Sequence, residues 1–518
     1  MNLTILEVVR SKNSSSFRTG CHALAVAASL WPRAGSAVLA AMLITSIGCS
    51  NSQSPTSTHM AVTAAFSPTS GPVGTLLTIT GADFSTAQSV SIDNVPAIPV
   101  SQSTSSLTAL VMPGATSGAV SVTTAAGTVD GQGTFTVTAT GIPSTQQAKL
   151  TGSGSVSPSQ QGYSVAVSAD GNTALVGAPN DNSGTGAVWV FVRSGTTWTQ
   201  QGNKLVGNGA VSNAGQGYSV ALSADGNTAL IGGPYDSSHV GAAWVFIRSG
   251  TTWTEQGNKL VGTGPVGNAW QGYSVALSAD GNTAMVGGPS DSSNVGAVWV
   301  FTRSGSAWTQ EGDKLVGTGA VFSSSQGATV ALSSDGNTAL ISGFEDNENI
   351  GAVWVFVRSS TSWTQQGAKL VGAGYVGTPQ QGTAIAISAD GNTALVGGSS
   401  DNSEAGASWV FTRSGTNWTQ QGNKLVGTGA LPNSHQGNSA ALSADGNTAI
   451  VGSQSDAAWI FTRSGSTWTQ SGNSLIGTEA VGTAIQGYSV SLSADGNTAL
   501  TGGPGDNSYV GSAWVFTH

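Results

Sequence analysis

The carboxylates that could do chemistry are unevenly spread along the chain. Glu345, Asp346, Glu348, Asp401 and Glu404 fall in two neighbouring loops that hold no Lys or Arg. Acidic crowding without counter-charge suits a metal ion or a basic partner. A second set is regular: Asp181, Asp236, Asp291, Asp346, Asp401, Asp456 and Asp506. Such residues cap their own turn or, gathered round one mouth, draw in a cation. A glycoside hydrolase or lyase needs a carboxylate pair, and Glu345 with Glu404 is the pair to nominate. No HExxH, GxSxG or Gly-rich phosphate loop occurs, and His59, His239, His435 and His518 stand away from any recognisable Ser or metal partner. The aromatic side chains that break the chain's own pattern are Trp270, Phe322 and Tyr375. With His435 they offer stacking surfaces for a sugar ring or a peptide side chain.

These residues are positioned by a repeat. An Asp-Gly pair recurs at Asp170, Asp225, Asp280, Asp335, Asp390, Asp445 and Asp495; five intervals are 55 residues (225 − 170 and so on) and the last is 50 (495 − 445). In the second copy Tyr218–Ser223 alternates apolar and small polar residues, Asp225-Gly226-Asn227 supplies a tight turn, and Thr228–Ile231 reads as the next strand. Ala243–Ile247 and Trp253–Leu260 complete four strands, and no segment carries a helical stripe. Units of this size bury their faces only against neighbours, so seven of them predict an all-β, seven-bladed propeller. The seventh copy ends at His518 without its fourth strand, while Gln146-Gln147-Ala148-Lys149-Leu150 stands ahead of the first. Residues 144–152 are therefore expected to cross over and complete the last blade, leaving no open seam.

Comparison of the copies separates two faces. The Ser-Ala-Asp-Gly-Asn-Thr hairpin and the Ser-Gly-x-x-Trp hairpin hardly change and share one face. The loop between the second and third strands and the linker between blades vary, and share the opposite face. Recognition sits on loops held by a constant frame; unconstrained drift produces the same variation. In the sixth copy Ser453-Gln454-Ser455-Asp456-Ala457 runs almost directly into Trp459, which should open a notch beside the acidic loops. Thirteen Trp residues that recur with the fold, such as Trp189 and Trp198, read as packing between blades. The Arg and Lys residues, about one each per blade, read as solvated edge charges.

The phrase from Gln216 to Pro234, followed by Gly241 to Phe246, resembles the FG-GAP repeat, the unit of the integrin α-subunit propeller, and is closer to its bacterial form. The resemblance covers residues 144–518. It implies a seven-bladed propeller with ligand contacts on the variable face. Integrin-type copies often carry a calcium loop with several carboxylates. Here Ser168–Thr173 and its equivalents keep one, whereas calcium takes six to eight oxygens, so no metal or cofactor is expected and calcium stays a lesser candidate. Residues 61–140, opening with Phe66 to Gly74 and Leu77 to Phe84, resemble an IPT/TIG domain, an immunoglobulin-like β-sandwich. Residues 61–138 hold no Lys or Arg and three Asp, so this domain cannot neutralise phosphates; it reads as a separate spacer.

Upstream, Arg10, Lys12, Arg18 and Arg33 precede an apolar run from Ala34 to Gly48, too short to span a bilayer. Residues 1–48 read as a signal peptide. Ile47-Gly48-Cys49 resembles the end of a bacterial lipobox, with Ser46 departing from its usual large aliphatic. Cys21, the only other cysteine, would be removed, so Cys49 is best explained as a lipid attachment point. By analogy with Gram-negative lipoproteins, Ser50 favours the outer membrane. Residues 49–60 read as a flexible tether. The 518 residues carry 16 Lys and Arg against 25 Asp and Glu, a formal charge of −9 that argues against nucleic acid. The expectation is a non-enzymatic, surface-anchored binding or adhesion protein for a protein or glycan ligand; a secreted polysaccharide hydrolase or lyase is the alternative.

Overall fold

A computed structural model describes residues 63–518 apart from Ser157, Ser212 and Asp456. The signal segment, the tether and Cys49 lie outside the described residues, as does Asp456. From Thr145 to the C-terminus the chain forms seven four-stranded antiparallel sheets, the blades of a propeller. Blade 2 is representative, with strands Ser219–Leu222, Thr228–Gly233, Ala242–Ser249 and Thr252–Glu255. Its first hairpin is set by Asp225, whose carboxylate accepts the Ser223 hydroxyl at 2.6 Å and the Asn227 amide at 3.0 Å. Gly226 completes that turn at φ 69°, a conformation glycine adopts without cost.

The second strand of each blade is buried on both faces, and its alternation divides it between two neighbours. Ala229 and Ile231 pack with Leu175 and Val190 of blade 1, whereas Leu230 packs with Val286 and Trp299 of blade 3. The third-strand tryptophans fill these seams. Trp244 is fully buried and its indole N–H donates to the Asn208 carbonyl at 2.8 Å. Burying such a ring removes roughly 200 Å² from water, worth about 5 kcal/mol per seam.

Two further devices bind blade to blade. In every copy a glutamine before a glycine is buried and bridges one backbone unit. The Gln271 side-chain oxygen accepts the Gly262 amide at 2.6 Å while its amide donates to the Gly262 carbonyl at 3.2 Å. Round the axis, the hairpin backbones form a closed circle of hydrogen bonds. The amide of Ala169 donates to Ala224, Ala224 to Ala279, and so on through Ser334, Ala389, Ala444 and Ala494 back to Ala169, at 2.8–3.2 Å. The circle closes because the last blade is complete. Strand Thr145–Leu150 pairs antiparallel with Ser512–Thr517, placing Lys149 opposite Trp514.

Ahead of the ring lies a sandwich with its own core of Leu77, Ile79, Phe84, Ile92, Leu107 and Phe135. Strand Val95–Gln102 pairs with Ala87–Ile92 through its first residues and with Ser106–Leu110 through its last, so it links the two layers. The sandwich is not the separate spacer that its sequence suggested. Val73, Leu76, Val100, Leu110 and Met112 pack in one cluster with the hairpin alanines Ala169, Ala224, Ala279, Ala389, Ala444 and Ala494. The described residues thus form one compact unit. Alanine at the hairpin tip gives a flat apolar platform round the axis, and Gly74 lets the sandwich backbone touch it: a Cβ there would lie 2.2 Å from the Ala494 backbone. The constant face of the ring is therefore covered at its centre. Among the described residues no helix is long and apolar enough to cross a membrane.

Candidate functional site

The six described loop aspartates do not point into solvent. Asp346 is fully buried, accepts the Val321 amide at 2.7 Å through Oδ1 and holds the Lys369 ammonium at 2.5 Å through Oδ2. Asp401 repeats this with the Val376 amide at 2.8 Å and Lys424 at 2.5 Å. Asp236 and Asp291 pair with Lys259 and Lys314, Asp181 with Lys204, and Asp506 with Lys149 of the closing strand. Two expectations are corrected. The acidic loops do have counter-charges, supplied from the fourth strand's end, and the lysines are not free edge charges. Each is also held over a buried tryptophan, as Lys369 is over Trp354 at 5.8 Å. Ser474 stands where the other blades have this lysine, in the blade whose loop is shortened. The arginines are likewise engaged: Arg248 donates to Asn227 at 2.8 Å and lies over Trp253 at 5.4 Å. Burial draws its guanidinium below the ordinary value, opposed by Asp225 and Asp170.

Of the remaining acids, Glu345 is half-buried and accepts the Ser325 hydroxyl at 2.7 Å. Glu348 is exposed. Glu404 is exposed beside His435, whose Nε2 lies 3.8 Å from its carboxylate. Glu345 and Glu404 thus engage different partners, and no group of three or more His, Cys, Asp or Glu gathers as a metal site among the described residues. Tyr375 and Phe322 are exposed. Trp270 is half-buried and joins an aromatic group, stacked on Tyr273 at 6.1 Å and near His239 and Tyr235 at 6.0 and 6.1 Å.

Trp270 belongs to a set that sequence comparison did not isolate. It occupies the linker position just before the buried glutamine, where its amide donates to the His239 carbonyl of the preceding blade at 2.9 Å. The same bond recurs from Gln160, Gly215, Ser325, Gln380 and His435. All of these, with Ile485, have positive φ: 60° at Gln160 and Trp270, 55° at Ser325, 56° at Gln380, 54° at His435, 59° at Ile485 and 67° at Gly215. Glycine is the natural residue there, and Gly215 shows that the frame accepts it. A non-glycine residue costs about 1–2 kcal/mol in this region, most for a β-branched or bulky side chain. Six of seven seams nevertheless carry a side chain, and no two neighbouring seams carry the same one. Several of these side chains also engage the adjoining second loop: Gln160 accepts the Asn180 side-chain amide, Ser325 donates to Glu345 and Gln380 accepts the Ser400 hydroxyl, each at 2.7 Å.

The same face opens at the axis into a funnel of about 380 Å³. Two residues beyond the buried glutamine, Tyr488, Tyr163, Tyr218 and Tyr273 line one side, with ring centroids 4.8–5.0 Å apart. Ala328, Thr383 and Asn438 hold the equivalent places on the other side. Burial pushes the phenols of Tyr163, Tyr218 and Tyr488 above the ordinary range; neighbouring phenols add to this at Tyr218 and partly oppose it at Tyr163 and Tyr488. No charged residue lines the funnel. The signal was present in the sequence as Gln-Gly-Tyr in four copies and Gln-Gly followed by Ala, Thr or Asn in three.

Residues 61–147 match the family model of the IPT/TIG domain, and residues 144–191 match that of the FG-GAP repeat. The protein is an IPT/TIG sandwich joined to an FG-GAP propeller. The second match covers the closing strand and most of blade 1; the other six blades are copies of that blade within the chain. A search of curated proteins found no match. The FG-GAP hairpin aspartates are spent on turn chemistry. Asp170 accepts the Asn172 amide at 3.0 Å and its side-chain amide at 2.9 Å.

Proposed function

We propose that this FG-GAP propeller is a non-enzymatic binding protein that presents its variable face to a protein or glycan. An FG-GAP propeller suggests a binding role in general; the narrower reading rests on one observation. The IPT/TIG sandwich covers the centre of the constant face, while the opposite face carries six strained rim positions, bearing Gln, Trp, Ser, His or Ile, around an open funnel. The sandwich then acts as a base plate for the ring. In this reading the chain is delivered to the bacterial cell envelope and held at the outer membrane by a lipid on Cys49, a residue outside those described. The hydrolase or lyase alternative has no observation in its favour, since Glu345 and Glu404 are engaged separately. Hydrogen exchange of the full chain, with and without ligands selected from protein and glycan arrays, tests the reading. Protection should fall on the inter-blade linkers and the second loops. Protection confined to the hairpin face or to the sandwich would overturn it.

A further inference from the structure

The variable face is not equally suited to every ligand, and its aromatic side has a definite chemistry. From the funnel, rings continue outward without a break: Tyr218 meets Tyr235 at 5.7 Å, Tyr235 meets His239 at 5.5 Å and Trp270 at 6.1 Å. Beyond Tyr235 lies a second hollow of about 420 Å³ at the seam of blades 1 and 2, bordered by Pro158, Pro179, Asn180, Ser183 and Asn213. That seam is the one whose strained position is glycine, and a Cβ on Gly215 would lie 2.8 Å from the Tyr235 ring. Tyr235 thus lines the outer hollow and touches the aromatic wall of the funnel. Neither cavity has a charged residue in its lining. Both combine aromatic faces with amide and hydroxyl groups: Asn180 and Asn213 outside, Gln380, Thr383 and Asn438 inside.

We infer that these two cavities and the rings between them form an extended site for a neutral oligosaccharide. The inference rests on the binding role proposed above and narrows its ligand. Sugar rings present an apolar face to an aromatic ring and hydroxyls to amides, which is the pairing found here. A lining with no carboxylate or cation disfavours uronic acids, sulfated glycans and charged peptides, whose ions would lose water without a partner. Two cavities of this size on either side of one ring suit a ligand of several sugar units. Trp270 flanks the path, and stacking on a sugar would account for a tryptophan kept where the backbone favours glycine.

The test is calorimetry of the full chain with neutral glucose, galactose and mannose oligomers of several units. Uronic acid oligomers and arginine-containing peptides are run beside them. Trp270→Gly and Tyr235→Ala are the variants. At Trp270 glycine relieves strain but gives up the ring contacts with Tyr273, Tyr235 and His239, so the variant should melt close to the parent. At least one neutral series should bind, with affinity about tenfold lower in each variant. Failure of every neutral oligomer, or neutral binding indifferent to both substitutions, would overturn the inference. Binding of a charged ligand alone, with protection on the variable face, would also overturn it while leaving the binding role intact. No ligand of any class protecting that face would count against both.

Discussion

Replacing Asp346 by Asn distinguishes a ligand carboxylate from an internal clamp. The substitution keeps Oδ1, so the Val321 amide retains its acceptor. It removes the charge that faces Lys369, whose side chain is 20% exposed against 1% for Asp346. Breaking a fully buried pair costs roughly 3–5 kcal/mol and an exposed one roughly 0–1 kcal/mol. With one partner dry and the other partly wetted, about 2–3 kcal/mol is expected. The ammonium keeps its tryptophan face, which holds the figure below the buried limit. In a ring of this length that corresponds to a fall of a few degrees in melting temperature. The local effect should be larger and is read by hydrogen exchange at Val321 and along 346–350, which should accelerate by about thirtyfold or more. Glu348→Gln, at an exposed position of the same loop, should change neither quantity. If Asp346→Asn melts and exchanges like the parent while a bound ligand is lost, the clamp assignment is wrong and the carboxylate belongs to the site.

Other parts of the structure give equally concrete expectations. Gln271→Ala leaves a buried N–H and C=O of Gly262 without partners and should destabilise by about 2–4 kcal/mol, measured by urea denaturation. Ala148→Pro, in the closing strand opposite Val515, should open the ring and make residues 512–517 exchange rapidly, with the other blades affected less. The phenols of Tyr163 and Tyr218 have folded-state values above the ordinary one, so the unfolded state releases protons first and stability must fall as pH rises above about 10. Phenolate absorbance should therefore show a late, cooperative step that coincides with loss of tertiary signal. Cys49→Ser should abolish incorporation of labelled palmitate in cells without altering the fold of the isolated chain.

The propeller was legible because its signals are local and repeated: alternating strands, an Asp-Gly turn, and a fourth strand displaced to the front. The start of the second strand at Thr228 follows from the Asp-Gly turn, but the strand runs on through Gly232 and Gly233, which read as a break, and the fourth strand ends at Glu255 and not at Leu260. The acid loops were misread because the neutralising charge lies 23 residues on, at Lys369 for Asp346, outside the loop that was searched. The absence of that lysine in the sixth copy, beside the shortened loop, was the available clue. The docking of the sandwich was hidden for a different reason. Alanine at a hairpin tip carries no chemical signature, and only the ring gathers six of them into one apolar platform. Trp270 breaks the pattern of the copies, but its positive φ is a property of the backbone path and has no trace in residue type. Tyr218 reads only as a strand residue, since four phenols become one wall only when the blades close.

On the proposed function, the six side chains at the strained linker positions serve recognition beyond their contacts with the neighbouring loops. One variant tests it: Gln160, Trp270, Ser325, Gln380, His435 and Ile485 all changed to Gly. Its melting temperature and its binding to whatever ligand the parent takes are measured together. The expected result is a ring that still folds and melts near the parent's temperature, since relieved strain offsets the lost loop contacts, and that no longer binds. A ring that binds as the parent does, or one that fails to fold, would contradict it.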